Sequence, residues 1–399
     1  MSAETQKWIE RYEAVSWNTF GRRRLVVDHG EGSRLYDIEG NEYLDFLTGI
    51  AVNNLGHCHP KIVEAIQQQA AQLIHCTNLY YIPVQIELAE MLVQQAFGGK
   101  VFFSNSGAEA NEAMIKTARK YASANMDDKR RTIVSCTNSF HGRTMGTLSA
   151  TGQEKIQTGF DPLLPGFKFV DYNDCEAMRK AVDEDVCAIM VEPIQGEGGV
   201  NPASQDFMDT LEALRKEHGL LLLFDEVQTG LGRTGKNFAY QHYGVIPDVL
   251  SLAKPLGGGM AMGATIAREE VAEAMTPGSH GSTMAGNPVA CAAAKAYCEI
   301  LFNDKLADRA AQAGDMILGE MGQWVKEIPC IKEVRGKGLM IGIQLDRPGA
   351  EIVERCEKRG LLVNCAAGTV LRILPPLNVE QEDVHEALRI IREELLAES

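Results

Sequence analysis

The chain has 399 residues and a formal net charge of −15 at pH 7, and 45% of its residues are hydrophobic. This length exceeds what one simple core needs, so we expect a large domain joined to a smaller one. A strong acidic balance without a basic stripe argues against a nucleic-acid partner. The sequence shows neither an apolar signal core nor an apolar run of membrane-spanning length, so we expect no membrane partner and a cytoplasmic location.

Cysteine usage argues against two further kinds of site. The ten cysteines are scattered and none forms a Cys-x-x-Cys pair, so we expect neither a disulfide framework nor a zinc knuckle. The segment His57-Cys58-His59 has metal-binding residue types, but a turn before Pro60 is the better interpretation. We therefore expect no metal cofactor.

Short apolar runs alternate with helical patterns through the middle of the chain. Strands separated by helices predict βαβ units around a mainly parallel sheet, and ligands of such sheets bind beyond the carboxyl ends of the strands. The residues that follow each run are therefore the first candidates for a site. The predicted strands occupy residues 101–103, 132–134, 187–191, 220–224 and 263–267, and a helix is predicted over 204–218.

The two ends of the chain differ from the middle. Residues 35–44 have the turn-rich pattern of a β-hairpin, and the last hundred residues mix helices with short strands. We predict a small α+β domain built from both ends, 1–45 and 286–399, around a large domain at 46–285. The C-terminal helices are predicted at 306–324, 350–359 and 381–396, with strands near 338–345 and 371–374.

The segment from Ser104 to Glu112 follows a predicted strand and opens a predicted helix. The small residues Ser106, Gly107 and Ala108 leave backbone N–H groups free at that helix terminus, where the helix dipole favours an anion. The segment therefore predicts a phosphate seat. A plain strand–turn–helix junction explains this motif equally well when it is taken alone.

Asp225 follows directly on the apolar run 220–224, so the predicted strand delivers its carboxylate into the ligand crevice. A carboxylate in that place keeps the nitrogen of a pyridine ring protonated, and Gln228 is close enough in sequence to reach a ring hydroxyl. The alternative is an aspartate that caps the next helix.

Lys254 lies in a small, apolar neighbourhood just before the glycine run 257–259. Desolvation lowers the pKa of a lysine, which suits Schiff-base and proton-transfer chemistry, and glycines permit close approach of a ligand to the backbone. A surface lysine beside a turn is the alternative for this motif alone. The three motifs together predict one cofactor site.

These residues resemble the class III branch of the fold-type-I pyridoxal-phosphate aminotransferases, which includes ornithine, acetylornithine and 4-aminobutyrate aminotransferases. The resemblance covers nearly the whole chain and implies an α/β fold, in which a large domain has a mainly parallel seven-stranded sheet and a small domain is α+β. Its motifs are GlyHisCysHisPro at 56–60, AsnSerGlyAlaGluAlaAsnGlu at 105–112, PheHisGlyArg at 140–143, GluProIleGlnGlyGluGlyGly at 192–199, AspGluValGln at 225–228 and SerThrMetAlaGlyAsnPro at 282–288.

The resemblance implies pyridoxal 5′-phosphate as the cofactor, with Lys254 as its Schiff-base lysine and proton shuttle. Asp225 is implied to pair with the pyridine nitrogen, and Phe140 to stack on the ring face. Many relatives have a hydroxyl residue at the position of Ala108, so one side-chain contact with the phosphate is expected to be missing. The other implied cofactor contacts are Ser106, Gly107, Glu226, Val227, Gln228 and Thr283.

Substrate recognition is implied in the same way. Arg143 is expected to clamp a substrate carboxylate, because guanidinium binds carboxylate with two parallel hydrogen bonds. Glu197 and Arg372 resemble a switch pair, in which Glu197 neutralises Arg372 until 2-oxoglutarate or glutamate brings a second carboxylate. Thr283 is implied to reach the phosphate of the neighbouring subunit, with Ser282 near the partner's substrate, so a homodimer with shared sites is expected.

A few positions bear on the identity of the amino donor. Ornithine aminotransferases tend to carry a substrate-contacting Tyr where this chain has Ile50, whereas residues 143–157 and 78–81 look most like acetylornithine aminotransferases of arginine biosynthesis. Tyr81 is implied to line the donor pocket. Succinylornithine, succinyl-diaminopimelate, ornithine and 4-aminobutyrate remain alternative donors. An aminomutase and a non-catalytic regulator with this fold remain alternatives from other classes.

Overall fold

The first hundred residues form three antiparallel strands and the helices that lead into the centre of the molecule. The computed structural model describes residues 2–127 and 129–397. Pro60 and Pro83 begin two of these helices, as expected of a residue whose fixed φ suits the first helical turn. The elements are α1 (Ala3–Glu13), β1 (Val27–Glu31), β2 (Arg34–Asp37), β3 (Glu42–Asp45), α2 (Thr48–Ala51), α3 (Pro60–Gln72) and α4 (Pro83–Gln95).

Alternating strands and helices follow, as the sequence predicts. Two 3₁₀ turns, Ala239–His242 and Lys254–Gly257, interrupt the later part of this region. The elements are β4 (Lys100–Ser104), α5 (Gly107–Asn125), β5 (Thr132–Cys136), α6 (Met145–Ala150), α7 (Glu154–Gln157), β6 (Phe167–Val170), α8 (Cys175–Ala181), β7 (Val186–Val191), β8 (Ile194–Gln195), β9 (Asn201–Pro202), α9 (Gln205–His218), β10 (Leu221–Asp225), β11 (Val249–Leu252), β12 (Gly263–Ala267) and α10 (Glu269–Ala272).

Seven of these strands form the central sheet, in the order β4-β12-β11-β10-β7-β5-β6. Strands β6, β5, β7, β10 and β11 run parallel to one another, whereas β12 is antiparallel to both of its neighbours. Every residue of β7 and β10 is buried, because helices cover both faces of a parallel sheet and both rows of side chains must be apolar. The predicted mainly parallel sheet of seven strands is confirmed.

The C-terminal part forms a second antiparallel sheet, in the order β13-β14-β17-β16. The three predicted C-terminal helices are confirmed, although the first extends three residues further than predicted. The elements are α11 (Pro288–Asn303), α12 (Leu306–Glu327), β13 (Ile331–Lys337), β14 (Met340–Leu345), α13 (Ala350–Lys358), β15 (Leu361–Leu362), β16 (Asn364–Ala366), β17 (Val370–Ile373) and α14 (Gln381–Leu396).

The two ends of the chain meet in a third sheet. Its order is β1-β2-β3-β15, and β15 pairs in parallel with β3 through Leu361 opposite Leu44 and Leu362 opposite Asp45. Helix α11 packs against α3 and α4. The chain after residue 285 therefore still contacts helices of the predicted large domain before it reaches β13. The division into 1–45, 46–285 and 286–399 stays a prediction.

No helix in the described part of the chain is both long enough and apolar enough to cross a membrane.

Candidate active site

Strand β10 ends at Asp225, whose carboxylate is 4% exposed and accepts hydrogen bonds from two sides. Oδ2 lies 2.7 Å from Asn111 Nδ2 and 2.8 Å from His141 Nδ1, and Oδ1 accepts the N–H of Val227 at 3.0 Å. A turn rather than a helix follows Asp225, which removes the helix-cap alternative. The carboxylate is therefore fixed in place at the carboxyl end of the central sheet.

Two residues that the sequence left unassigned hold Asp225. Asn111 lies on α5 and is itself fixed, because Ser251 Oγ donates to its Oδ1 at 2.6 Å. His141 is fully buried and its Nε2 lies 3.3 Å from Ser135 Oγ. Both residues lie inside motifs that the sequence analysis quotes, but which strand end they face depends on tertiary packing.

The amino end of α5 has the geometry predicted for an anion seat. Ser106 is the N-cap, and its hydroxyl accepts the N–H of Glu109 at 3.1 Å. Among the described residues, the N–H groups of Gly107 and Ala108 have no protein acceptor. A Cβ at Gly107 would lie 2.7 Å from Val227 Cγ1, so only glycine lets the turn after β10 come this close to the helix terminus.

Lys254 follows β11 and begins a 3₁₀ turn. Burial lowers the pKa of its ammonium to about 8, although the charges of Glu197 and Asp225 act in the opposite direction. Roughly one tenth of such an amine is neutral at pH 7, far more than at the ordinary lysine pKa. Lys254 is therefore a usable nucleophile and base near neutral pH.

An ion pair across the cleft joins the loop between β8 and β9 to strand β17 of the C-terminal sheet. Glu197 Oε1 lies 2.7 Å from Arg372 Nη1, and Arg372 also donates to Gln228 Oε1 at 3.3 Å. Burial alone would raise the pKa of Glu197, but the charges of Arg372 and Lys254 outweigh it and hold this pKa below its ordinary value. Arg372 is fully buried, and its Nη2 has no partner among the described residues.

The segment from Phe140 to Arg143 forms another wall. The Arg143 guanidinium is exposed, lies 5.5 Å from the centre of the Phe140 ring, and has no carboxylate partner in the described ranges. The N–H of Phe140 donates to Glu192 Oε2 at 3.1 Å. Burial raises the pKa of Glu192, a cleft residue that the sequence analysis did not single out.

Neighbouring residues 226 and 227 point in different directions. Val227 lines the cleft beside Gly107. The buried carboxylate of Glu226 instead accepts the N–H groups of Ala239 and Tyr240, and burial raises its pKa to about 7. We therefore remove Glu226 from the proposed cofactor contacts, because both carboxylate oxygens are turned away from the cleft.

Short segment α2 is a left-handed turn rather than an ordinary helix. Such a backbone costs roughly 1–2 kcal/mol for each residue with a Cβ, and surrounding contacts must offset that cost. Asp45 Oδ1 accepts the N–H of Thr48 at 2.9 Å, and the Thr48 hydroxyl donates to the carbonyl of Leu374 at 2.8 Å. Its non-glycine residues with positive φ are Thr48, Ile50 and Ala51, at 50°, 62° and 61°.

Four predicted substrate or cofactor residues lie outside the cleft of a single chain. Ile50 packs on a small apolar cluster two residues before Val52, which does line the cleft. Tyr81 is 95% exposed, so it does not line a pocket within its own chain. Ser282 Oγ accepts from Asn105 Nδ2 at 3.0 Å, and Thr283 is exposed.

Ten of the predicted residues line one cleft of about 480 Å³. It combines an anion seat, a buried carboxylate, an amine with a lowered pKa and an aromatic ring. Arg372 reaches this cleft through Glu197 and Gln228. The predicted residues that line it are Ser106, Gly107, Ala108, Phe140, Arg143, Glu197, Asp225, Val227, Gln228 and Lys254.

A family model described as "Aminotransferase class-III" matches residues 18–395. The chain belongs to the class III aminotransferases. These are pyridoxal-phosphate-dependent transaminases, and the cleft fits that cofactor, because it offers unpartnered N–H groups for a phosphate and a fixed carboxylate for a ring nitrogen. The resemblance seen in the sequence is confirmed.

Individual class III aminotransferases match over nearly their whole length. The chain is 52% identical over 375 residues to the acetylornithine aminotransferase of Caldanaerobacter subterraneus subsp. tengcongensis, covering 94% of this chain and 95% of the relative. The solved ornithine aminotransferase of Toxoplasma gondii, described with partial occupancy of PLP at the active site, has a TM-score of 0.94 at 34% identity and covers 98% of this chain and 94% of its own. An acetylornithine aminotransferase from Elizabethkingia anophelis has a TM-score of 0.88 at 32% identity, with coverages of 98% and 99%.

Proposed function

We propose that this aminotransferase moves the terminal amino group of N2-acetylornithine to 2-oxoglutarate, giving N-acetylglutamate 5-semialdehyde and glutamate, a step of arginine biosynthesis. The observation that carries the proposal is the Glu197–Arg372 pair beside an unpaired Arg143. The Arg143 guanidinium is free to bind the carboxylate that the amino donor and the amino acceptor have in common. Glu197 neutralises the Arg372 guanidinium until a substrate with a second carboxylate binds.

The two substrates require this arrangement because they differ in charge. Acetylornithine presents one carboxylate and an uncharged amide, whereas 2-oxoglutarate and glutamate each present two carboxylates. Arg372 has a buried Nη2 without a partner in the described structure, so a second carboxylate that displaces Glu197 gains a charge-assisted, two-point contact. Without Glu197, Arg372 would be a buried unpaired charge whenever the donor is bound.

The cofactor contacts are proposed from the geometry of the cleft. Pyridoxal phosphate, when bound, supplies an electron sink for the reacting carbon. Gly107 and Ala108 offer N–H groups to its phosphate, and Asp225 fixes charge at its ring nitrogen. Lys254 would hold the cofactor through its carbonyl carbon, and its amine would carry a proton to and from the substrate carbon.

We propose that the donor preference depends on Ile50, which is partly exposed and lies two residues before Val52 at the margin of the cleft. An apolar side chain gives the free α-ammonium of ornithine no hydrogen-bond partner but tolerates the acetylated nitrogen. Leaving such a group unpaired costs about 1–3 kcal/mol, or roughly ten- to a hundredfold in kcat/KM. Ile50→Tyr is expected to narrow the preference for acetylornithine over ornithine, by raising ornithine turnover and obstructing the acetyl group.

The test is kcat/KM for both donors at fixed 2-oxoglutarate, in wild type and Ile50→Tyr. Ile50→Phe serves as the matched control, because it adds the ring without the hydroxyl. A wild-type preference for ornithine would overturn the proposed donor, and an unchanged ratio would show that Ile50 does not set it. Succinylornithine, succinyl-diaminopimelate and 4-aminobutyrate are assayed alongside, and stoichiometric glutamate formation separates a transaminase from an aminomutase.

We also propose a cytoplasmic homodimer with shared sites. The apolar residues Leu79, Tyr80 and Tyr81 are 85%, 67% and 95% exposed, and adjacent Asn78 donates to the carbonyl of Ala285 at 2.9 Å. An exposed apolar strip of this kind fits a second copy of the chain. It lies beside Ser282 and Thr283, which in our proposal reach the partner's site. All ten cysteines are free thiols, as suits a reducing compartment.

Subunit mixing tests the shared site. In a heterodimer of Lys254→Ala and Thr283→Ala, one site carries both lesions and the other carries neither. Free exchange makes half of the dimers mixed, so roughly a quarter of wild-type activity should reappear. Mixing either variant with itself is the control. An activity that stays at the mean of the two parents, despite verified exchange, would refute the shared site.

A further inference from the structure

The segment from Gly196 to Val200, which carries Glu197, is held at both ends by charged side chains that the proposed reaction does not use. At its start, Glu192 Oε1 accepts the N–H of Gly196 at 3.3 Å. At its end, Arg335 Nη2 donates to the carbonyl of Gly199 at 2.8 Å, and Arg335 Nε donates to the carbonyl of Val200 at 3.0 Å. One guanidinium therefore fixes two consecutive peptide groups.

The backbone at this end of the segment does not hold its shape unaided. Val200 has a φ of +55°, and Gly199 has a φ of +112°. A β-branched residue avoids the left-handed region, because its Cβ crowds the following carbonyl. The N–H groups of Gly199 and Val200 donate to the carbonyl of Gly196. The hydrogen bonds from Arg335 and the full burial of Val200 add to these contacts in keeping the conformation.

Arg335 and Arg372 lie in one row across the C-terminal sheet. Arg335 on β13 is paired with Gly342 on β14, and Gly342 is paired with Arg372 on β17. Residues directly opposite each other in antiparallel strands share a face of the sheet. Arg335 donates hydrogen bonds to the backbone of the segment that carries Glu197, and Arg372 pairs with the Glu197 carboxylate.

The middle residue of the row leaves room for the segment to cross. A Cβ at Gly342 would lie 2.9 Å from Val200 Cβ, so Val200 packs directly over the missing side chain. Arg335 is also held on its outer side, by Glu333 Oε2 at 2.8 Å and Gln344 Oε1 at 3.1 Å. The distance from the Glu197 segment to Arg372 is thus set by the sheet itself.

We infer that Arg335 is a positioning residue that holds Glu197 ready to neutralise Arg372 while the amino donor is bound. The inference rests on the proposed switch between donor and dicarboxylate. With the donor bound, Arg372 depends on Glu197 for its counter-charge, so a loosened segment costs rate. With glutamate or 2-oxoglutarate bound, the substrate supplies that charge, and the position of the segment matters little.

The test compares two half-reactions of the cofactor-loaded enzyme by stopped-flow absorbance, one with acetylornithine and one with glutamate. Arg335→Gln should lower kcat/KM about tenfold for acetylornithine, the size expected when hydrogen bonds to a charged group are lost, and less than twofold for glutamate. Arg335→Lys keeps the positive charge but cannot donate to both carbonyls in the same geometry. Its kcat/KM for acetylornithine should lie between those of the wild type and Arg335→Gln. Gly342→Ala displaces Val200 without removing a charge and should damage the same half-reaction. Lys332→Gln, an exposed change on the same strand, should alter neither.

Glu197→Gln, measured in parallel, separates the inference from the switch on which it rests. If Glu197→Gln changes the ratio of the two half-reactions and the Arg335 and Gly342 variants do not, the positioning role is wrong and the switch stands. If Glu197→Gln also leaves the ratio unchanged, both are wrong. Equal losses in both half-reactions, with a lowered Tm, would show that Arg335 only stabilises the fold.

Discussion

Lys254→Ala is expected to lower steady turnover by at least about 10⁴-fold, since one side chain supplies both the covalent bond to the cofactor and the proton shuttle. Burial lowers the pKa of this lysine to about 8, and no other lysine lines the cleft in the described chain. The measurement is kcat with acetylornithine and 2-oxoglutarate. Borohydride reduction followed by peptide mass analysis gives an independent readout, because only a lysine–cofactor bond is trapped.

The control is Lys236→Ala, which removes an exposed lysine outside the cleft. It should retain both turnover and the trapped cofactor on the peptide that contains Lys254. A Lys254→Ala protein with near-normal turnover would show that the Schiff-base assignment is wrong. Trapped cofactor on a different lysine of the wild-type enzyme would lead to the same conclusion.

Asp225→Asn is expected to slow the chemistry by roughly 10³-fold while the protein stays folded, because a preorganised charge at the reacting centre is often the largest catalytic contribution. The amide keeps the size of the carboxylate, and Asn111 still has an oxygen to bond. What is lost is the negative charge that faces His141 and, in our proposal, the ring nitrogen. Single-turnover rates with acetylornithine measure this effect separately from product release.

Asp248→Asn, at the residue just before β11, is a matched control. Asp248 is also buried, but its carboxylate accepts the N–H of Leu222 and pairs with Arg215 and Arg268, away from the cleft. This change should lower the Tm and leave single-turnover rates within a few-fold. A loss of only about tenfold in Asp225→Asn would contradict the ring-nitrogen role.

Those parts of the site that the sequence predicted are set by local patterns. The apolar run before Asp225 predicts a buried strand, and the end of a parallel strand is where the crevice opens. The small residues before α5 likewise predict an open helix terminus. His141 and Asn111 could not be assigned in this way, because they reach Asp225 from 84 and 114 residues away and only packing brings them together.

Residues 225–228 show that a sequence motif does not predict where each of its side chains points. The prediction treated the run from Asp225 to Gln228 as one set of contacts, but the turn after β10 sends Glu226 to the backbone of residues 239 and 240. Side chains next to each other at a strand end leave on opposite sides. Tyr81 is exposed in the single chain, and its place in a donor pocket stays a prediction, since nothing local distinguishes a residue of the cleft from one on an exposed strip.

Only Gly49, with a φ of +64°, gives a sequence signal for the left-handed turn α2. Positive φ is normally announced by glycine or asparagine, yet Thr48, Ile50 and Ala51 all adopt it. Contacts from Asp45 and Leu374, distant in sequence from each other, impose that conformation. Strain of this kind is readable only after the fold is known, because the long-range contacts that offset it are absent from any local pattern.

The pairing of β3 with β15 has a consequence for the order in which the protein folds during synthesis. Strand β3 ends at Asp45, but its partner β15 begins at Leu361. The β3 edge of the N-terminal sheet therefore stays unpaired until more than three hundred further residues have been synthesised. The central sheet, whose seven strands lie between 100 and 267, can assemble well before that. Contacts of such high sequence separation form late, and we expect the nascent N-terminal strands to depend on chaperones until the C-terminal residues arrive.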